Sequence, residues 1–105
     1  MDDITVERDE SAEDYAGIRV EGCNGGFAED GEFFVIGEAA TTSGNPLKGR
    51  VEIHATAYDA SGRIVGRGLT GIHGFGLRQS FDIPIDLVGK NPAPVRIRVF
   101  PTKNA

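Results

Sequence analysis

The chain has little of what metal proteins, disulfide-stabilised domains and most enzymes depend on. Its 105 residues include no tryptophan, one cysteine, one methionine and two histidines. A single cysteine excludes an internal disulfide, and the two histidines are too far apart in sequence for a zinc or copper ligand pattern. No apolar run approaches the ~20 residues of a membrane-spanning helix. We therefore expect one small soluble domain that folds on its hydrophobic core alone.

The negative charge is concentrated at the start of the chain. Residues 1–15 hold seven acidic residues and one arginine, a balance of −6, whereas residues 16–105 hold nine acidic and ten basic residues, a balance of +1. This predicts an acidic, partly flexible segment over residues 1–15 and a single domain over residues 16–105. Because no basic cluster is visible along the sequence, nucleic-acid binding is not expected.

Fifteen glycines and recurrent strand patterns are what the sequence does contain. The clearest pattern lies in residues 51–68, where apolar and polar residues alternate before the turn sequence Asp59-Ala60-Ser61-Gly62 and a second strand-like run follows it. A period of two places one strand face in a core, and a glycine-containing turn between two such runs predicts a β-hairpin. The predicted core face of its first arm consists of Val51, Ile53, Ala55 and Ala57.

Further strand patterns follow one another at short intervals. With the hairpin arms at residues 50–58 and 63–70, the predicted strands cover residues 4–8, 18–21, 33–42, 80–87 and 95–100. Seven short strands separated by turn residues predict an all-β sandwich. Residues 11–17 carry a helix-capping pattern, but the segment is too short to be a stable helix on its own.

Two aspartates in the strand at residues 80–87 lie too far apart for paired acid–base catalysis. Asp82 and Asp86 share one face, and strand geometry separates their Cα atoms by about 13 Å, wider than glycosidase carboxyl pairs usually need. If the closing strand pairs with this one, Arg96 and Arg98 face these aspartates, and we expect that structural role. Pro84, between them, predicts an edge position or a bulge.

Groups able to support catalysis or metal binding are few. No serine lies in a Gly-x-Ser-x-Gly context and His54 and His73 are the only imidazoles, so we expect no enzymatic activity. Neither metal-ligand spacing nor a phosphate-binding loop is present, so we expect no cofactor. The acidic turn formed by Glu29, Asp30 and Glu32 suits calcium chemically but lacks the alternating pattern of a dedicated loop, and we expect no metal. Cys23 has no neighbouring base to lower its pKa, which predicts a partly buried, unreactive thiol.

The candidate binding residues are His54, Tyr58, His73 and Phe75. The first two belong to the polar face of the first hairpin arm, together with Glu52 and Thr56. The other two lie in a glycine-rich segment at residues 71–79, which we expect to be a loop, and loops on a rigid sandwich carry many binding residues. Tyrosine is a frequent anchor at interfaces. A solvated histidine side chain is the alternative reading for His73.

The motifs between residues 33 and 100 resemble the FxLYD-type domains of bacteria and archaea. Residues 34–37 read FVIG, residues 42–48 read TSGNPLK, and the strand from Val51 ends in Tyr58-Asp59 before a glycine turn. Residues 81–83, FDI, match the strand that usually closes on a phenylalanine. The sequence departs from the pattern at Ala57, where the family has leucine, and residues 1–32 are not covered.

The resemblance implies an immunoglobulin-like β-sandwich, found in envelope or exported proteins, without an established catalytic activity. We therefore expect a non-catalytic binding or structural module, monomeric, not inserted in a membrane, with a protein as its possible partner. A carbohydrate-binding accessory domain and a small cytosolic protein-interaction domain are the alternatives. Asp2 and Asp3 stand where a secretory signal would need basic and apolar residues, so localisation outside the cytosol rests on the resemblance.

Overall fold

Seven strands and one short helix make up the described part of the chain. The computed structural model describes residues 4–47, 49–74, 76–87 and 94–103. The all-β class predicted from the sequence is confirmed. In chain order the elements are β1 Thr5–Arg8, α1 Glu10–Ala16, β2 Ile18–Phe27, β3 Phe33–Thr41, β4 Arg50–Tyr58, β5 Ile64–His73, β6 Arg78–Leu87 and β7 Arg96–Lys103.

The strands form one mixed sheet, in the order β1-β7-β4-β5-β6-β3-β2, that curls until it is nearly barrel-shaped. β1 runs parallel to β7, and the other neighbouring strands are antiparallel. β5 and β6 pair only through Gly66 with Leu87 and Arg67 with Asp86. The sheet therefore divides there into a first half, β1-β7-β4-β5, and a second half, β6-β3-β2, which enclose one core.

Alternate residues of the strands fill that core, as a period of two requires. The predicted core face of β4 is confirmed, because Val51, Ile53, Ala55 and Ala57 are each at most 1% exposed. The two outer ends of the sheet also meet: a Cβ atom on Gly25 of β2 would lie 2.5 Å from Cδ1 of Ile97 on β7. Glycine at this position lets β2 approach β7 closely.

The turn between β4 and β5 is organised by Asp59. Its carboxylate accepts hydrogen bonds from the Ser61 hydroxyl at 2.7 Å and from the backbone N–H groups of Ser61 and Arg63, both at 2.9 Å. These bonds favour the charged form, the Ser61 hydroxyl most, and lower the pKa of Asp59. Gly62 takes a φ of +87°, which a residue with a Cβ atom rarely adopts. The predicted hairpin is confirmed.

A helix forms in the acidic segment, although the sequence pattern alone was too weak to predict a stable one. Asp9 caps it by accepting a hydrogen bond from the Ala12 N–H at 3.0 Å, and Gly17 ends it in the left-handed conformation. Its Glu13 is only 3% exposed. Tertiary contacts stabilise such a short helix, which propensity alone could not.

Three hydrogen bonds hold the buried carboxylate of Glu13. Arg8 on β1 donates from Nε at 3.0 Å and from Nη2 at 2.7 Å, and the Val20 N–H on β2 donates at 3.0 Å. The bonds to Glu13 also raise the pKa of Arg8. A buried charge is tolerated when it is paired and hydrogen-bonded in this way. This one side chain connects β1, α1 and β2.

Several strands are longer than the sequence predicted. β2 continues through an irregularity between Glu21 and Asn24, where Gly22 takes a φ of +63°, and ends only at Phe27. β5 extends to His73 and β6 begins at Arg78, so the predicted loop at residues 71–79 is wrong for its two ends. Glycine-rich sequence indicated turns, but several of these glycines lie within strands.

The predicted pairing of β6 with β7 is wrong, because β7 lies between β4 and β1. Arg96 and Arg98 therefore meet acidic residues of the N-terminal segment and not Asp82 and Asp86. Pro84 pairs with Phe34 of the neighbouring β3 in a strand that is internal to the sheet. It is tolerated because the ladder between β6 and β5 does not extend as far as Pro84.

We predict that replacing Glu13 with alanine lowers the free energy of unfolding by about 3 kcal/mol, because the buried Val20 N–H and one side of Arg8 lose their acceptor. Urea denaturation followed by circular dichroism measures this loss. Glu10→Ala, in the same helix but exposed, is the matched control and should change stability little. Equal losses in the two variants would contradict the role given to Glu13.

We predict that Gly68→Ala destabilises the protein by about 1–3 kcal/mol through overpacking where β5 passes β6. A Cβ atom at residue 68 would lie 2.2 Å from the backbone oxygen of Pro84 and 2.8 Å from Cγ2 of Ile83. Gly26→Ala is the matched control, since a Cβ atom there meets nothing within 4 Å. Urea denaturation of both variants compares them. A Gly68→Ala protein as stable as the control would show that the strands are not in close contact.

Candidate functional site

A groove of about 850 Å³ crosses the outer face of β7, β4, β5 and the end of β6. This volume is within the usual range of small-ligand sites. We call it the outer groove. Strand register arranges the side chains of this sheet face in three rows, which are Phe100–His54–Leu69, Arg98–Thr56–Arg67 and Arg96–Tyr58–Ile64; Arg96 lies beside the groove and does not line it.

One end of the outer groove is formed by stacked rings and an exposed leucine. The rings of His54 and Phe100 are nearly parallel, with an angle of 11° between their planes and 5.2 Å between their centroids. Nε2 of His54 also lies 3.2 Å from Oε1 of Glu52, two residues earlier on β4. This contact orients the imidazole ring. Leu69, on the opposite side of His54, is 50% exposed. This end is therefore mainly apolar.

The opposite end is formed by Tyr58 and Ile64. The guanidinium carbon of Arg96 lies 4.3 Å from the centroid of the Tyr58 ring, a cation–π distance. Nε of Arg96 is also 3.6 Å from Oε1 of Glu7 on β1. Ile64 is 50% exposed, so an aliphatic side chain is available to a ligand beside the tyrosine.

The middle of the groove is polar, with one arginine on each side of Thr56. Arg98 donates to the carboxylate of Asp9, the residue that caps α1, and its guanidinium carbon lies 6.0 Å from the Phe100 ring centroid. Arg67 lies directly opposite Asp86 where β5 meets β6. Guanidinium, carboxylate and hydroxyl groups thus stand side by side between two apolar ends.

The pair formed by Asp9 and Arg98 shifts the titration of both groups. The hydrogen bond from the Ala12 N–H lowers the pKa of Asp9 most, and the hydrogen bond from Arg98 lowers it further. The same pair raises the pKa of Arg98. The helix cap and the arginine of the groove are therefore one electrostatic unit.

The structure places two of the four candidate residues from the sequence in the outer groove. His54 and Tyr58 both line the outer groove. His73 is exposed at the far end of β5 and does not line it, and Phe75 lies outside the described residues. Sequence reasoning missed Phe100, although the alternation along β7 places it on the same face as the two arginines. What the sequence did not reveal was that β7 lies beside β4.

Other candidate chemistry finds little support in the described ranges. Within residues 4–47, 49–74, 76–87 and 94–103, no group of three or more histidine, cysteine, aspartate or glutamate side chains is placed to hold a metal ion. Asp30, in the acidic turn considered for calcium, accepts a hydrogen bond from the Glu32 N–H at 2.9 Å. Burial raises the pKa of Cys23 to about 11, which agrees with an unreactive thiol.

We predict that the Asp9 carboxyl in the folded protein titrates below its ordinary pKa and that Arg98→Gln moves this pKa upward. Because folding lowers this pKa, the ionised Asp9 carboxylate stabilises the folded protein. This stabilisation is complete above the unfolded-state pKa of about 3.9 and is lost as the pH falls through the folded-state pKa. Titration of the carboxyl carbon followed by nuclear magnetic resonance (NMR) measures both proteins. An Asp9 pKa that is the same with and without Arg98 would contradict the pairing.

The helix α1, the one helix of the described residues, is too short and too polar to span a membrane. No protein-family model matches the chain, and neither a curated protein nor a solved structure gives a match. Any function must therefore be argued from the outer groove itself.

Proposed function

We propose that this protein is a non-catalytic binding module and that the outer groove is its ligand-binding surface. The observation that carries the proposal is the combination of apolar ends with a polar middle in one groove. Leu69 and Ile64 are each half exposed beside aromatic rings, with arginine side chains between them. Exposed apolar groups rimmed by polar ones are typical of binding surfaces.

The arrangement of the groove favours binding over catalysis. His54 is its imidazole, and its ring already stacks on Phe100 and lies beside Glu52. The nearest hydroxyl along the strand is that of Thr56, two residues away, which separates the two Cα atoms by about 7 Å. An activated nucleophile needs its base within hydrogen-bonding distance. The residues of the groove supply shape and hydrogen-bonding groups for a ligand.

An immunoglobulin-like sandwich of the FxLYD type is our proposal for the fold family. The division of the sheet between β5 and β6 supports it, as does the pairing of β3 with β6 and of β4 with β7, since such non-consecutive pairs occur in Greek-key sandwiches. We further propose, from the same resemblance, a monomer that works at the cell envelope or outside the cell.

We predict that a ligand of this module shifts the NMR signals of outward-facing residues on β4 and β7 in the isotope-labelled protein. The probes are a set of neutral oligosaccharides, a set of charged oligosaccharides, acidic and basic peptides, and calcium chloride. A Leu69→Ala variant should weaken the response, because it removes an exposed contact at one end. Tyr15→Ala is the control, since Tyr15 is 84% exposed on α1 and does not line the groove.

Three results would contradict the proposed function. The first is that no class of probe shifts the signals of the outer groove. The second is that the shifts fall on the outward-facing residues of β3, on the opposite half of the sheet. The third is that calcium shifts are confined to the acidic turn at residues 29–32, which would argue against the groove as the functional surface.

A further inference from the structure

We propose that the ligand of the outer groove is a neutral oligosaccharide long enough to reach both of its ends. This inference rests on the proposed function, because it names the chemical class that the same groove would bind. Three properties of the groove carry it: its balanced charge, its alternation of apolar and polar rows, and its position over a central strand, β4, whose backbone is hydrogen-bonded on both sides.

Each of the three arginines in or beside the outer groove has a carboxylate neighbour. Arg98 is bonded to Asp9, Arg96 lies 3.6 Å from Glu7, and Arg67 stands opposite Asp86 in the register of β5 and β6. An anionic ligand would approach a carboxylate next to each guanidinium, and a cationic ligand would approach a guanidinium next to each carboxylate. A neutral polyhydroxyl ligand meets no such repulsion, so the balance favours it.

The polar middle row matches the hydrogen-bonding pattern of sugar hydroxyls. A guanidinium only donates hydrogen bonds, a carboxylate only accepts them, and a hydroxyl does both. Arg67 and Asp86 lie side by side, so neighbouring hydroxyls of one sugar ring could accept from the first and donate to the second. Thr56, in the centre of the groove, adds a hydroxyl of its own.

The apolar ends suit the C–H faces of sugar rings. The stacked His54 and Phe100 form one end, and Tyr58 with Ile64 forms the other. His54 and Tyr58 are four residues apart on β4, which corresponds to about 13 Å along a strand. A ligand that contacts both ends must therefore be longer than a single sugar ring.

A peptide fits this surface less well, because the central strand beneath it, β4, has no free backbone groups to offer. β4 pairs along its whole length with β5 on one side, and with β7 from Val51 to Tyr58 on the other. The amide groups of a peptide lying on this face would lose their hydrogen bonds to water and could replace them only with bonds to side chains. Peptides that bind sheets usually add a strand at an edge instead. Sugar hydroxyls need only the side chains present.

The test is a titration of the protein with neutral linear oligosaccharides, from monosaccharide to hexasaccharide, followed by NMR and by calorimetry. We expect affinity to increase with length until the ligand spans both ends and then to level off. Arg67→Ala and Tyr58→Ala should each weaken binding of the hexasaccharide by about tenfold, the effect of losing one good contact. Arg19→Ala and Tyr15→Ala, both exposed and away from the groove, are the matched controls.

The outcomes separate this inference from the proposed function. If the groove responds to carboxylated or amino-sugar oligosaccharides or to peptides but not to neutral sugars, the inference is wrong and the binding module stands. A monosaccharide that binds as tightly as the hexasaccharide overturns the requirement for both ends. If no probe of any class shifts the groove, the proposed function fails as well. Circular dichroism checks that each variant is folded. If Tyr58→Ala does not fold, Arg67→Ala still tests the inference, because Arg67 is exposed.

Discussion

The buried carboxylate of Glu13 is the contact on which the N-terminal part of the molecule depends. β1 has four residues and α1 seven, and neither length is stable without tertiary contacts. Glu13 connects them because it accepts two hydrogen bonds from Arg8 on β1 and one from Val20 on β2. With this carboxylate in place, the acidic segment contributes β1 to the edge of the sheet and holds α1 against it. Without it, the Arg8 guanidinium and the Val20 N–H lose their acceptor.

The outer groove is built on the same segment. Once β1 pairs with β7 and α1 begins at residue 10, Asp9 reaches Arg98 and Glu7 reaches Arg96. Two of the acidic residues concentrated at the start of the chain are thus partners of two arginines near its end. The uneven charge of the sequence becomes a locally balanced surface in the fold, and that balance is what our proposal of a neutral ligand depends on.

Local patterns predicted β3 and β4 almost residue by residue. Strict alternation and a turn with a defined hydrogen-bonding residue, Asp59, determine β4, whereas β3 begins as a run of apolar residues on both faces and ends before the turn sequence at residues 43–46. Local patterns also placed His54 and Tyr58 on one strand face. The parallel pairing of β1 with β7, the helix stabilised by Glu13 and the approach of Phe100 to His54 were not predictable in this way. Each depends on which distant segments become neighbours, and the period of a strand carries no information about that.

Native-state hydrogen exchange of the Val20 amide tests the central claim, that Glu13 makes the N-terminal segment part of the folded unit. If the claim is correct, this N–H, which donates to Glu13, exchanges as slowly as the core amides of β4, such as that of Ile53, and the β1 amides bonded to β7 are protected with it. Rapid exchange of Val20 and of β1, while β4 remains protected, would show that the segment opens independently and would contradict the account.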